Sequence, residues 1–174
     1  MSIREVIEVL NQMEADGVID RYAIGGAVGA TFYLEPVATL DVDVFVAFHA
    51  EPGQLLANPK PLFDALAARG HSMKGEYVMI ARWPVQFLPP TGPLVEEALA
   101  EAGAMDVDGV PARVFSAEHL AAIALQTGRA KDKARLLQFL EEEAIDRERF
   151  QGIVRRHDLV AGWTKFERQF LDTP

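Results

Sequence analysis

Apolar residues recur every three or four positions in several stretches of the chain, the spacing that places them along one face of an α-helix. The first stretch shows the pattern at five positions: Ile3, Val6, Ile7, Leu10 and Met13. The same reasoning predicts helices over residues 2–16, 27–34, 58–69, 93–102, 117–127, 131–142, 147–156 and 159–170. Ser2 with Glu5 forms a capping box, and Ser116 is a candidate N-cap. Gly17 and Gly128 end the helices before them.

Other stretches alternate between apolar and polar positions, as half-buried β-strands do. In the clearest, at residues 40–48, one face carries Leu40, Val42, Val44 and Val46. Asp41 and Asp43 therefore share the opposite face. Further strands are expected at residues 22–24, 77–81, 84–88, 105–107 and 112–115, with tight turns at Arg82-Trp83 and Asp108-Gly109.

No strand pattern follows residue 116, so the chain divides into two parts. An α/β part covers residues 1–115 and a helical part covers residues 116–174, with no Ser- or Pro-rich linker between them. We therefore expect an α+β fold in which helices flank a sheet and the helical part packs on that sheet as one domain.

The net charge and the lack of cysteine reduce the number of possible function classes. The 174 residues carry a formal net charge of −9, which disfavours extended contact with a nucleic acid or with an anionic membrane. Cysteine is absent, so disulfides, thiol chemistry and Cys-ligated metals are excluded. The first 17 residues place acids inside the apolar pattern, unlike a signal peptide or a membrane anchor. The resulting expectation is a cytoplasmic protein without a membrane partner.

Two short motifs carry the candidate chemistry. Asp41 and Asp43 would repel each other on one strand face unless a cation lay between them, and Mg²⁺ prefers carboxylates together with phosphate oxygens. Gly25-Gly26 lies at a junction of strand and helix, where backbone N–H groups can approach a phosphate. Each motif alone also fits an ordinary feature, two solvated acids or a tight turn. Together they fit metal-assisted transfer of a phosphoryl or nucleotidyl group.

The segment that contains both motifs, IGGAVGATFYLEPVATLDVDVFV at residues 24–46, resembles the signature of the nucleotidyltransferase superfamily, which has the DNA polymerase β-like fold. Its stretch Thr39-Leu40-Asp41-Val42-Asp43 is similar to the Thr-x-Asp-x-Asp motif of AbiEii-type toxin nucleotidyltransferases. Residues 114–140 resemble a helical block found downstream in those proteins, ending here in Arg129-Ala130-Lys131-Asp132. The resemblance spans residues 20–142 and implies a mixed sheet flanked by helices.

The resemblance also implies roles for individual residues. Asp41 and Asp43 would bind Mg²⁺ and act in catalysis. Arg129 and Lys131 would neutralise triphosphate charge, with Asp132 orienting them. The full set implied in nucleotide binding is Gly25, Gly26, Thr39, Arg129, Lys131 and Asp132. A solvated basic helix paired with the acids at 141–143 is the alternative interpretation of the basic cluster.

The sequence departs from the family pattern at four places. Active members carry a third carboxylate on a later strand, and Gln86 stands at that position here. An amide can accept a metal bond or a hydrogen bond, but it cannot act as a general base near neutral pH. The spacer between Gly26 and Asp41 is long, at 14 residues, and Val37 and Ala124 stand where relatives have Arg and Lys. These departures weaken the case for catalysis more than the case for the fold.

The leading hypothesis is Mg²⁺-dependent transfer of a nucleotidyl group from an NTP to an acceptor hydroxyl, with a tRNA 3′ end, a protein side chain or a small molecule as acceptor. The alternative is a noncatalytic protein of the same fold that binds a nucleotide or an antitoxin-like partner. A third hypothesis takes Gly25-Gly26 with Gly29 and a later acid as a Rossmann dinucleotide site.

Overall fold

The computed structural model describes residues 3–35, 39, 41–48 and 58–171. These residues form eight helices and one seven-stranded sheet. The helices are α1 Arg4–Ala15, α2 Gly26–Ala30, α3 Lys60–Ala68, α4 Pro93–Ala100, α5 Ala117–Thr127, α6 Ala130–Glu141, α7 Arg147–Arg156 and α8 Val160–Phe170. The strands are β1 Arg21–Ile24, β2 Val42–Ala47, β3 Ser72–Lys74, β4 Tyr77–Ile80, β5 Trp83–Leu88, β6 Gly103–Val107 and β7 Val110–Val114.

The sheet is mixed, with the strand order β3-β4-β5-β2-β1-β7-β6. The pairs β2–β5 and β1–β7 are parallel, and the other four pairs are antiparallel. The expected α+β fold, a mixed sheet flanked by helices, is confirmed. The Rossmann hypothesis is wrong, because β1 and β2 pair antiparallel whereas a dinucleotide site of that kind joins parallel strands.

The alternation in β2 separates the two faces of the sheet. Val42, Val44 and Val46 are fully buried in a hydrophobic core that also holds the apolar faces of α1 and α3. Phe45 and Ala47 pack instead against a second core, built mainly from α4, α5, α6, α7 and α8. Because side chains alternate along a strand, Asp43 projects toward this second core and its helices.

The second core draws on both parts of the chain. Ala23 of β1 and Leu34 lie in the same cluster as Phe139 of α6 and Trp163 of α8. Among the described helices, none combines the length and the apolar content needed to cross a membrane.

Several predicted boundaries shift. Helix α2 ends at Ala30 rather than at 34, and the chain continues in turns. Strand β2 begins at Val42, so Asp41 lies one residue before the strand rather than within it. Ser2, Val37 and Leu40 lie outside the described residues, and the first residue before α1 that the structure describes, Ile3, makes no side-chain cap.

Turn and cap predictions have mixed outcomes. The hairpin turn between β4 and β5 falls at Ala81-Arg82, with φ of 48° and 72°, and not at Arg82-Trp83. The Asp108-Gly109 turn is confirmed, with φ of 52° and 82°. The Ser116 hydroxyl accepts a hydrogen bond from the His119 N–H at 3.3 Å, so the predicted N-cap of α5 is confirmed.

Candidate functional site

A cavity of about 760 Å³ lies between β2 and β5 on one side and α5 and α6 on the other. The sequence-predicted residues that line it are Gly26, Thr39, Asp41, Asp43, Gln86, Arg129, Lys131 and Asp132. Gly25 lies directly beside it, since its N–H donates to the Asp43 carbonyl oxygen at 3.0 Å. Residues separated by about 100 positions in the chain therefore meet at one site.

Asp41 and Asp43 form the acidic wall, and both are half-buried. Burial raises the pKa of Asp43, and repulsion from the Asp41 carboxylate raises it further. Gln86 is the register partner of Asp43 in the parallel pair β2–β5, so its side chain leaves the neighbouring strand about 4.8 Å away. Two carboxylates and an amide are the oxygen ligands that Mg²⁺ accepts. The donor set fits a divalent cation, which would also relieve the repulsion between the two acids.

Gly25 and Gly26 allow α2 to begin against β2. A Cβ at position 26 would overlap the Asp43 carboxylate, and Gly26 also has a φ of +58°, which favours glycine. A Cβ at position 25 would lie 2.7 Å from the Phe45 ring. The two glycines therefore permit the close approach of backbone to carboxylate, and their contact with phosphate stays a prediction.

The basic wall is formed by the first half of α6 and by Arg129, the residue just before it. Arg129, Lys131 and Arg135 lower the pKa of Asp43 and so oppose the effect of burial and of Asp41. Arg135 follows Lys131 by four residues, which places the two side chains on one face of the helix. The acidic and basic walls thus face each other across the cavity.

Asp132 fixes the Arg129 side chain. The Arg129 Nε donates to Asp132 Oδ2 at 2.6 Å, and its Nη2 donates to Oδ1 at 3.3 Å. The Asp132 side chain is only 4% exposed, whereas that of Arg129 is 61% exposed. A buried carboxylate therefore holds an exposed guanidinium at the cavity. The Glu142 carboxylate accepts a hydrogen bond from the Gln138 amide at 2.7 Å. Glu142 therefore does not make the pairing with the basic cluster that the alternative interpretation proposed.

The third wall is apolar. Phe45 and Phe115 lie with ring centroids 4.9 Å apart, and Leu120, Ile123 and Ala124 of α5 continue the same surface. An apolar wall beside opposed charges suits a ligand with both a flat or apolar part and an ionic part.

Sequence reasoning missed two residues beside Gln86. The Gln86 Nε2 donates to Glu76 Oε2 at 3.2 Å. The neighbouring Tyr77 has a raised pKa because it is desolvated and because the carboxylates of Glu76 and Asp41 lie close to its hydroxyl. Glu76 lies before β4, and only the pairing of β4 with β5 brings it to Gln86, so no motif in the sequence marks it.

A second polar cluster lies on α4, away from the residues that line this cavity. Glu97 accepts hydrogen bonds from Arg156, from His157 Nε2 at 2.7 Å and from His119 Nε2 at 3.2 Å. Ligand atoms of Glu97, Glu101 and His119 lie within 4.8 Å of one another, but Arg156 and Arg149 pair with the two carboxylates. The cluster is therefore an ion-pair network that joins α4 to α5 and α7.

Comparison with known proteins identifies the fold. No family model matches the chain, and no curated protein matches it. Among solved structures, an antigenic nucleotidyltransferase-like protein from Paracoccidioides brasiliensis matches with a TM-score of 0.59 and 15% identity, over 93% of each chain. ANT(2")-Ia in complex with adenylyl-2"-tobramycin matches with a TM-score of 0.53 and 14% identity, over 90% of this chain and 97% of the other.

A solution structure of the antibiotic-resistance factor ANT(2'')-Ia matches with a TM-score of 0.54 and 15% identity, over 99% of this chain and 100% of the other. These likenesses span nearly the whole of each protein. The chain therefore has a nucleotidyltransferase-like fold. The AbiEii-type subgroup stays a prediction from the sequence.

Proposed function

We propose that the protein binds an NTP with Mg²⁺ in this cavity and transfers the nucleotidyl group to an acceptor hydroxyl. The observation that carries the proposal is the opposition of the Asp41–Asp43 wall and the basic wall of α6 across one cavity. A metal-bound triphosphate needs both kinds of group, carboxylates for the cation and cations for the remaining phosphate charge.

Each wall has a distinct task in this proposal. Asp41 and Asp43 would hold the Mg²⁺, which would supply positive charge to the triphosphate oxygens. Lys131 and Arg135 would neutralise the phosphates from the opposite side, and Arg129 would do so in the orientation that Asp132 fixes.

Backbone groups next to the two aspartates would also contribute to the site. Gly26 would present its N–H group to the phosphates at the start of α2, and Gly25, whose own N–H donates to the Asp43 carbonyl oxygen, would keep the backbone close to them. The Thr39 hydroxyl donates to the Asp41 carbonyl oxygen at 3.1 Å and would hold the segment before β2 in place. The acceptor oxygen would attack the α-phosphorus in line, and the bond to pyrophosphate would break.

Three classes of acceptor are candidates: a tRNA 3′ end, a protein side chain and a small molecule. The net charge of −9 disfavours a long RNA footprint but leaves a single 3′ end open. The match to a structure that contains adenylyl-2"-tobramycin supports testing small molecules, aminoglycosides among them.

A noncatalytic role is the second candidate, and Gln86 favours it. Its amide stands in register with Asp43, on the strand where the sequence predicts a third carboxylate in active relatives. In this case the cavity would bind a nucleotide without turnover, and the function would lie in an antitoxin-like or other protein partner.

Label transfer from an NTP distinguishes these two proposals. The protein is incubated with Mg²⁺ and each α-labelled NTP, separately with total tRNA, tobramycin and a cell protein extract. Catalysis predicts label in one acceptor class, and predicts its loss in Asp43→Asn. Nucleotide binding without transfer to any acceptor would favour the noncatalytic role, and absence of nucleotide binding would contradict both.

A further inference from the structure

We propose that Glu76 supplies the carboxylate that β5 lacks and that it accepts the proton of the attacking hydroxyl. The proposal rests on the proposed function and deepens it by naming the base of the same site. It uses a residue that the sequence resemblance does not mark, and this residue lies just before β4, whereas Gln86 is in β5.

Strand register and a hydrogen bond connect the acidic wall to Glu76. Asp43 and Gln86 are register partners on β2 and β5, and the Gln86 amide donates to the Glu76 carboxylate at 3.2 Å. A carboxylate only accepts hydrogen bonds, so the amide nitrogen of Gln86 must face it. Gln86 lines the cavity and therefore holds Glu76, which is not itself a lining residue, next to it.

Tyr77 makes a second connection between Glu76 and the acidic wall. Its hydroxyl lies close to the carboxylates of both Glu76 and Asp41. Glu76 and Tyr77 thus form a continuous polar group with Asp41, Asp43 and Gln86, on β2, β5 and β4 and at the positions just before β2 and β4. The carboxylates of this group are those of Asp41, Asp43 and Glu76.

The exposure of Glu76 suits a base that meets a second substrate. Asp41 and Asp43 are half-buried and face the basic wall, whereas Glu76 is solvent-exposed. An acceptor that arrives from solvent after the NTP has filled the cavity would meet Glu76 first. Because Gln86 is neutral, it adds no repulsion to the Asp41 and Asp43 carboxylates, whereas a third acid beside them would.

The chemical step balances with these groups alone. As the acceptor oxygen bonds to the α-phosphorus, its proton passes to a Glu76 carboxylate oxygen. The bond between the α-phosphorus and the pyrophosphate oxygen breaks, and its electron pair leaves with pyrophosphate. General-base catalysis of this kind contributes roughly 10² to 10⁴ in rate.

Water is the acceptor that permits a test before the natural acceptor is known. Pyrophosphate release from each Mg²⁺-NTP is measured between pH 5 and pH 9, and nucleotide affinity is measured by calorimetry on the same samples. The variants are Glu76→Gln, the double variant Glu76→Gln with Gln86→Asp, and Glu148→Gln, an exposed carboxylate of α7 that does not line the cavity.

The proposal predicts that Glu76→Gln keeps nucleotide affinity within about twofold but lowers pyrophosphate release about 10²-fold. The double variant should regain part of the rate, because an aspartate at position 86 places a base on β5. Glu148→Gln should behave as wild type.

Three results would overturn the proposal. An unchanged rate in Glu76→Gln would show that another group accepts the proton. If the wild-type protein binds an NTP yet releases no pyrophosphate, the role of Glu76 as a base is contradicted, while nucleotide binding by the cavity stands. Wild-type protein that binds no NTP would overturn the proposed function together with this inference.

Discussion

The Asp43 carboxylate lies between two opposing electrostatic influences. Burial and the Asp41 charge raise its pKa, while Lys131, Arg135 and Arg129 lower it. A bound divalent cation would strengthen the second influence and stabilise both carboxylates as anions. The backbone at Gly26 lies against this carboxylate, and the basic side chains at the start of α6 act on it across the cavity.

Gly26→Ala is predicted to disturb the site more than the fold. The new Cβ would overlap the Asp43 carboxylate, and the φ of +58° would add strain. We expect the affinity for Mg²⁺-NTP to fall at least tenfold by calorimetry. Gly17→Ala is the matched control, since Gly17 has a φ of +71° but nothing within 4 Å of the added Cβ. The left-handed φ should cost each variant about 1 kcal/mol of stability, and the overlap with Asp43 should add to the loss in Gly26→Ala. Equal nucleotide affinity in the two variants would contradict this account.

Lys131→Ala is predicted to weaken nucleotide binding, because Lys131 lines the cavity opposite the carboxylates. Loss of a charged hydrogen bond of this kind costs about 2 kcal/mol, or roughly 30-fold in Kd. Lys133→Ala removes the same charge two residues away, from a side chain that does not line the cavity, and should leave the Kd within about twofold. Equal losses in both variants would indicate a diffuse charge effect instead of a site.

At the scale of elements, the Glu97 cluster joins helix α4 to α5 and α7. Hydrogen bonds from Arg156, His157 and His119 lower the pKa of Glu97 to about 2 from an ordinary value of 4.5. Burial lowers the pKa of His119, which therefore stays neutral in the folded protein to a lower pH than in the unfolded chain. Both shifts have the same sign, so both contributions to stability diminish as the pH falls.

The pH dependence of unfolding tests this cluster. The contribution of Glu97 should be complete above pH 4.5 and should be lost progressively as the pH falls toward about 2. Urea unfolding at pH 7, 5 and 3 should show Glu97→Gln less stable than wild type by about 2 kcal/mol at pH 7, with a smaller decrease at pH 3. Glu96→Gln, at an exposed position of the same helix, is the control. A constant difference across these pH values would show that the charge of Glu97 is not what stabilises the helices.

The sequence predicts most elements because their signals are local. The alternation in β2 and the Ser116 cap of α5 are encoded by neighbouring residues, and both are present. Strand β3 has no such signal, since Ser72, Met73 and Lys74 are all exposed and extend only by pairing with β4. Local patterns find strands with a buried face and miss edge strands of this kind.

Two further differences also have physical reasons. The turn at Ala81-Arg82 has positive φ at both residues without Gly or Asn, so the usual residue signals of such a turn are absent. The carboxylate and glycine motifs of the site could be read from the sequence, and the structure brings them to the basic residues of α6. Glu76 could not be read from it, because its contact with Gln86 depends on the register of the β4–β5 hairpin.

At the scale of the whole molecule, the two parts of the chain share a core. Fully buried Phe139 of the helical part lies in one cluster with Ala23 of the sheet, which is also fully buried. We therefore expect a single cooperative unfolding transition. In a Trp83→Phe background, fluorescence of Trp163 should report the same urea midpoint as far-UV circular dichroism.

Phe139→Ala adds a second test of the shared core. The cavity it leaves should lower stability by about 4 kcal/mol, and the two signals should shift together. Separate midpoints for fluorescence and circular dichroism, in either variant, would show that the helical part unfolds independently and that residues 116–174 form a domain of their own.

The central claim is that one cavity holds a nucleoside triphosphate through a metal on Asp41 and Asp43. Calorimetric titration of wild type and Asp41→Asn with each of the four NTPs, with Mg²⁺ and with EDTA, tests it most directly. The account predicts micromolar affinity for at least one NTP, dependent on Mg²⁺ and weakened at least tenfold in Asp41→Asn. Absence of binding to any NTP, or an affinity unchanged by EDTA and by Asp41→Asn, would contradict it.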